Sequence, residues 1–353
     1  MNTTHKAPQA DISQDDFDDE AAQFGQSGDT QPSIFVVKTA NEWLERAKTL
    51  PIPRKLFGKI WYEGELCILF ADTNLGKSIL AVQIADAISK GTSIFDFSLE
   101  AEKQPVIYLD FELTCKQFQG RYSKNYEREY KFDDNFFRAE LDLSIDLPEH
   151  IDFSDFLIGK IEKLMLDKDA KILVIDNITY LNDRVEKAKE AAPLMKKLNA
   201  LKKKHNFSML VISHTPKRDL SKIITQNDIQ GSKMIANFID SSFAIGRSIK
   251  DEHLRYIKQI KIRNGENKYG TENVIICQIV KPDNFLHFEQ VSYGSEYDHL
   301  KQRSKKDKQE LEENIIALNE SEPELSLQEI ADRLGTYKMK VKRILDKHNK
   351  NES

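Results

Sequence analysis

The sequence predicts an α/β fold. A mainly parallel twisted sheet carries helices on both faces and antiparallel strands at its C-terminal side, and a small C-terminal helix-turn-helix-like module follows. Two observations carry the sheet. Apolar strand-like runs occur at Leu66–Phe70, Pro105–Leu109, Ile172–Ile175 and Phe207–Ile212, with helix-like stretches such as Ser78–Ser89 and Ala191–His205 between them. Short apolar runs separated by helices predict a parallel sheet covered on both sides. After Ser241 the pattern changes. Strands at Ser241–Gly246, Leu254–Ile262, Val274–Val280 and Phe285–Phe288 alternate with turn residues such as Asn264-Gly265 and Pro282-Asp283-Asn284, as in antiparallel hairpins.

Residues 1–32 hold seven acidic residues, one lysine and few large apolar groups, so a disordered acidic tail is expected there. Residues 33–55 form a lead-in. A short helix is expected over Thr39–Leu50, with Trp43 and Leu44 on one side and Glu42, Glu45 and Arg46 toward water. Pro51-Ile52-Pro53 ends it, because proline disfavours helix in the residue before it. Residues 56–292 make the core, 293–308 a charged linker and 309–353 the helical module. No apolar run is long enough to span a bilayer, and the N-terminus lacks the pattern of a secretory signal. Cys67, Cys115 and Cys277 show no paired spacing. A cytoplasmic protein with reduced cysteines and no zinc site is expected. The net charge of -5 means that a nucleic-acid partner must be held by local basic surfaces.

Ala71-Asp72-Thr73-Asn74-Leu75-Gly76-Lys77-Ser78 follows the strand Leu66–Phe70 and opens a helix carrying Ile79, Leu80, Val82 and Ile84. A strand that delivers a loop to a helix N-terminus aims free backbone N–H groups and a positive dipole end at phosphate. Lys77 can reach the β- and γ-phosphates of ATP, and Ser78 can ligate Mg²⁺. Gly76 gives the backbone room to approach. Ala71 stands where such loops usually begin with glycine. The strand Ile172–Ile175 ends in Asp176, the expected second acid for Mg²⁺. The strand through Leu109 ends in Asp110-Phe111-Glu112. Spacing alone leaves open whether Glu112 polarises the attacking water or belongs to a solvated turn.

The order of these motifs resembles the RecA-like hexameric helicases, the group of the DnaB helicase and the plasmid RepA helicase, over roughly Leu56 to Glu289. The resemblance implies that Glu112, followed nine residues on by Arg121, is the general base, and that His214 after Phe207–Ile212 senses the γ-phosphate. Asp228-Ile229-Gln230-Gly231-Ser232 matches the segment after the family's DNA-binding loop. This would make Pro216–Asp228 that loop, with Lys217, Arg218 and Lys222 suited to phosphate contacts; the alternative is a solvated charged loop. Lys261-Ile262-Arg263-Asn264-Gly265 matches a K-x-R-N-G segment. In the family its lysine and arginine reach the ATP of a neighbouring subunit, as an arginine finger does. Taken alone, the segment is a strand and a hairpin turn. The DnaB-type N-terminal domain is absent from this sequence.

In the module, Leu311, Ile315 and Ile316 give one apolar face. Ser326-Leu327-Gln328-Glu329 has the form of a capping box, Gly335 makes a turn, and Tyr337–Lys347 directs Met339, Val341, Ile344 and Leu345 inward. Lys338, Lys340, Lys342 and Arg343 then face outward, as on a helix laid along DNA. A protein-docking or purely structural bundle shares the pattern. These readings combine into the expectation of a ring-forming, homohexameric RecA-like ATPase taking ATP and Mg²⁺. It would act on single-stranded DNA through the ring and on duplex DNA through the module, as the replicative-type helicase of a plasmid or other mobile element. The alternatives are an ATPase that remodels protein on DNA and an ATP-switched DNA-binding regulator.

Overall fold

In a computed structural model, which describes residues 35–142, 152–178, 191–216, 218–229, 235, 237–301 and 305–352, the apolar runs become one nine-stranded sheet. The strands are β1 (Lys55–Phe57), β2 (Trp61–Tyr62), β3 (Leu66–Ala71), β4 (Val106–Asp110), β5 (Ser123–Lys124), β6 (Arg128–Glu129), β7 (Phe136–Ala139), β8 (Ile172–Asp176), β9 (Ser208–His214), β10 (Ser241–Arg247), β11 (Leu254–Lys261), β12 (Val274–Val280) and β13 (His287–Gly294). The large sheet has the order β13-β12-β11-β10-β3-β9-β8-β4-β7. The six strands from β10 to β7 run parallel. Strands β11 to β13 add an antiparallel extension. Strands β1–β2 and β5–β6 form two small antiparallel pairs of their own.

Among the described residues the helices are α1 (Ala40–Thr49), α2 (Lys77–Lys90), α3 (Cys115–Arg121), α4 (Phe153–Asp167), α5 (Ala191–His205), α6 (Lys305–Ser321), α7 (Leu327–Arg333) and α8 (Lys338–Glu352). Successive side chains of a strand point to opposite faces, and β3 is buried on both. Cys67 and Leu69 join a core with Leu80, Ile84 and Ile88 of α2. Leu66, Ile68 and Phe70 join a second core with Leu157 and Ile161 of α4 and Leu194 and Leu198 of α5. Helix α2 is further tied to the antiparallel extension. Gln83 Nε2 donates to Phe288 O at 2.9 Å, and Phe288 N donates to Gln83 Oε1 at 2.9 Å.

The chain divides into units Met1–Ile52 and Pro53–Ser353. In the first, Thr39 caps α1 in a capping box with Glu42, and no residue of α1 is buried. The expected acidic tail lies outside the described residues. In the second, the module has its own core of Leu311, Ile315, Ile330, Ala331, Val341, Ile344 and Leu345. The capping box forms, with Ser326 N donating to Glu329 Oε2 at 2.8 Å and Glu329 N to Ser326 Oγ at 3.3 Å. Gly335 makes its turn at φ 58°.

Several boundaries and orientations depart from the sequence expectation. The last strand begins two residues later than Phe285 and runs on to Gly294. Strand β11 closes at Lys261. Met339 is 67% exposed. It stands two residues before Val341, about 200° around a helix of 3.6 residues per turn, and so falls on the face opposite Val341, Ile344 and Leu345.

Candidate functional site

The sheet register brings the proposed chemistry to one edge. Ala71 pairs with His214, and Asp110 pairs with Asp176. After β3 the chain passes β9 and β8 before adding β4, so the C-terminal ends of these four strands line the crevice where open α/β sheets bind ligands.

The loop after β3 is shaped by two left-handed residues, Asn74 at φ 63° and Gly76 at φ 93°. Only a residue without a side chain fits at Gly76: a Cβ there would stand 2.7 Å from Ile279 Cδ1 and 2.9 Å from Phe288 Cε2. Gly76 is also the N-cap of α2 and supplies no side-chain cap, which leaves the first helical N–H groups for an anion. Leu75 is buried and anchors the loop. Lys77 is buried, and its Nζ donates to the carbonyls of Ala71 at 3.0 Å and Asp72 at 3.1 Å. Burial lowers its pKa, while Glu112, Asp176 and Asp72 act to raise it. Thr73 is exposed. Asp72 is braced from β9's end, accepting from the Thr215 hydroxyl.

Asp176 lies at the end of β8 and is 1% exposed. Tyr108 donates its hydroxyl to Asp176 Oδ2 at 2.6 Å. Burial pushes the carboxyl up to about 6, against the lowering effect of the Tyr108 and Ser78 hydroxyls. Its Oδ1 is buried without a hydrogen-bond partner among the described residues. An orphaned carboxylate oxygen beside a serine hydroxyl at a phosphate loop is a donor set suited to Mg²⁺, so the residues fit that ion.

Asp110 and Glu112, left open by the spacing, separate clearly. Asp110 Oδ1 accepts from the backbone N–H of Glu112 at 3.1 Å and of Leu113 at 2.9 Å, and Oδ2 accepts from Arg138 Nε at 2.9 Å. It shapes the turn. Glu112 instead faces the site, and its carboxyl is held below the usual range. The His214 ring against it is the main cause; burial opposes, and the charges of Lys77 and Arg121 add to the lowering. Glu112 Oε1 lies 3.4 Å from His214 Nε2. Arg121 Nη1 is buried without a hydrogen-bond partner among the described residues.

Three contributors escaped the sequence reading. Asn177 places its amide against both Glu112 Oε1 and His214 Nε2. Its signal was adjacency to Asp176. Tyr108 sat unremarked in a strand that was recognised. Arg138, on the edge strand β7, also donates to Leu113 O at 2.6 Å, and a four-residue strand of half-buried positions gave no pattern to find it by.

Lys261 and Arg263 lie elsewhere. Arg263 Nη1 donates to Asp240 Oδ1 at 2.9 Å, and Lys261 Nζ donates to Ile239 O at 2.9 Å. Asp240 Oδ2 accepts from Leu66 N at 2.9 Å. This is the N-terminal end of β3, the opposite end from the phosphate loop. At about 3.3 Å per residue, roughly 17 Å of strand separates them. The Arg263 side chain is 56% exposed.

Of the cations placed on a DNA-facing loop, Lys217 lies outside the described residues, as do 230–234 of the following segment. Lys222 is exposed. Arg218 departs from the expectation: its side chain is only 8% exposed, with Nε 3.8 Å from Asp72 Oδ2. Its charge is spent within the protein. On α8, Lys338, Lys342 and Arg343 are exposed and Lys340 is half-buried.

A family described as AAA domain matches residues 33–219, a span holding the loop Ala71–Ser78, Glu112, Asp176 and His214 and ending before Lys261. No curated protein matches the chain. Among solved structures, a KaiC-like protein, PH0186, from the hyperthermophilic archaeon Pyrococcus horikoshii OT3 is similar, with 14% identity and a TM-score of 0.46 over 67% of this chain and 100% of that one. Among the described residues no helix is long and apolar enough to cross a membrane.

Proposed function

The chain belongs to the AAA domain family, and we propose that this RecA-like ATPase hydrolyses ATP only when assembled into a ring and uses it to move on DNA as a replicative-type helicase. One observation carries the assembly reading: Lys261 and Arg263 sit at the end of β3 remote from the phosphate loop of their own subunit. A nucleotide served by an arginine there belongs to a neighbour.

In the hydrolytic step, the loop N–H groups and Lys77 hold the phosphates, and Ser78 and Asp176 would hold Mg²⁺. The metal, when bound, neutralises charge on the β- and γ-phosphates. Glu112, whose carboxyl is held below the usual range by the His214 ring, accepts a proton from the attacking water. Lys77 offsets the charge that develops on the leaving side. Arg263, with Lys261 beside it, would supply the same service in trans.

Glu112→Gln is expected to bind ATP but to lose turnover by about 10²–10⁴-fold, the range of general-base catalysis. Asp110→Asn is expected to act on the fold instead, lowering stability by on the order of 3 kcal/mol through the broken pair with Arg138. Thermal unfolding and steady-state hydrolysis of both variants decide it. Lost turnover with normal stability in Asp110→Asn, and normal turnover in Glu112→Gln, would exchange the two roles.

The DNA reading is supported by Lys222 and by the exposed Lys338, Lys342 and Arg343 of α8, on a module with an independent core. Deleting the module from Lys305 is expected to weaken DNA binding and flatten its salt dependence while basal hydrolysis persists. Unchanged affinity and salt slope would make the module a protein-docking element. Strand separation is tested on forked DNA with ATP. Hydrolysis without unwinding would point to a remodelling ATPase, and slow hydrolysis with binding to one defined site to a regulator.

A further inference from the structure

We infer that Asn177 is a positioning residue that links the imidazole of His214 to the carboxylate of Glu112, so that a displacement of the ring is transmitted to the base. The inference rests on the reading of Glu112 as base and of His214 as the residue facing the γ-phosphate, and it deepens that reading.

Asn177 is 2% exposed. A buried amide is retained at a cost unless its hydrogen bonds are made. It follows Asp176 at the end of β8, and its amide reaches across both neighbouring strand ends. Nδ2 contacts Glu112 Oε1, beyond β4, and stands 3.0 Å from His214 Nε2, at the end of β9. Glu112 Oε1 and His214 Nε2 are themselves 3.4 Å apart. Three side chains from three adjacent strand ends therefore meet at one NH₂ group.

The chemistry of the carboxylate fixes the direction of the bond to Glu112. An ionised carboxylate only accepts, so the amide must turn its NH₂, and not its carbonyl, to Glu112. The same nitrogen stands 3.0 Å from His214 Nε2. Asn177 thus does two things at once. It holds the Nε2 edge of the His214 ring in place, and it restrains the Glu112 oxygen that must receive a proton from water. When the ring moves to meet a phosphate oxygen, the amide loses its contact with His214 and the restraint on Glu112 changes with it. The contact with the γ-phosphate and the readiness of the base become one event.

Asn177→Leu keeps the approximate shape and removes both hydrogens. Binding of a fluorescent ATP analogue is expected to stay within about twofold of the unaltered protein, since Asn177 belongs to neither the phosphate loop nor the metal ligands. Turnover is expected to fall by about 10- to 100-fold, as for loss of a group that orients a base. The discriminating readout is a cycle with His214→Ala. If the two residues act as one unit, the double variant is no slower than the slower single one. Losses that multiply overturn the inference, as does Asn177→Leu turnover at the unaltered rate. Should Asn177→Leu fail to fold, Asn177→Ala, smaller and likewise without a donor, takes its place in the same cycle under the same criteria. The underlying reading fails separately: normal turnover by Glu112→Gln removes the base itself, whatever Asn177 does, and the inference falls with it.

Discussion

Lys77→Ala is expected to abolish ATP hydrolysis and to weaken ATP binding by about 10- to 100-fold, the equivalent of roughly 1.5–3 kcal/mol for one charge-assisted hydrogen bond. The lysine is 7% exposed, so its ammonium is largely stripped of water. Burial works against its charge, and Glu112, Asp176 and Asp72 sustain it. A cation held in this way at a helix N-terminus gains most when phosphate charge arrives to pair with it. Alanine is the best helix former, and α2 keeps its anchors in Leu80, Ile84 and Ile88. The variant is therefore expected to fold, with a thermal midpoint close to that of the unaltered chain. Calorimetric titration with ATP and a phosphate-release assay check both halves. Near-normal hydrolysis by a folded Lys77→Ala protein would remove the phosphate-loop assignment and, with it, the whole hydrolytic reading.

The parallel strands and the phosphate loop were legible because they are local. A run such as Leu66–Phe70 is apolar throughout for one reason, burial on both faces, and that reason leaves a mark in five consecutive letters. Ala191–His205 reads as a helix-like stretch between two apolar runs, and α5 covers it. Helix α4 carries Leu157, Ile161 and Met165 four residues apart, a readable stripe that the motif-led reading passed over. What could not be read is pairing at a distance. Asp110 and Glu112 look alike as two acids after a strand. Their difference comes from Arg138, an ion-pair partner on the edge strand β7 for Asp110, and from His214, on a strand two places away in the sheet from β4, for Glu112. Arg218 is the reverse case. In sequence it stands in a charged loop beside Lys217, and only the fold puts its side chain against Asp72.

Arg263→Ala is expected to bind ATP nearly as well as the unaltered chain and to hydrolyse it about a thousandfold more slowly or worse, as arginine fingers do. The ground is geometric. Asp240 holds Arg263 and also accepts from the first residue of β3, Leu66, while the nucleotide loop follows its last, Ala71. The guanidinium cannot reach the phosphates of its own subunit without leaving that end of the sheet. Its pair with Asp240 is half in water, at 56% exposure for the arginine side chain. An exposed ion pair contributes about 0–1 kcal/mol, so the arginine can be drawn across an interface at little expense, and its loss is expected to leave the fold intact. Lys261, whose Nζ is bound to the Ile239 carbonyl, is expected to show a milder form of the same defect when replaced by alanine. Mixing decides whether the action is in trans. Arg263→Ala subunits keep a sound phosphate loop, and Lys77→Ala subunits keep a sound finger. Each alone is inactive. Co-assembled, they are expected to recover part of the activity at interfaces that pair a good loop with a good finger, with hydrolysis rising as protein concentration drives assembly. A monomer that hydrolyses ATP at a concentration-independent rate, untouched by Arg263→Ala, would end the case for a ring. Lys261 and Arg263 would then be a strand end and a hairpin turn held by Asp240, and the phosphate loop would belong to an ATPase that works alone.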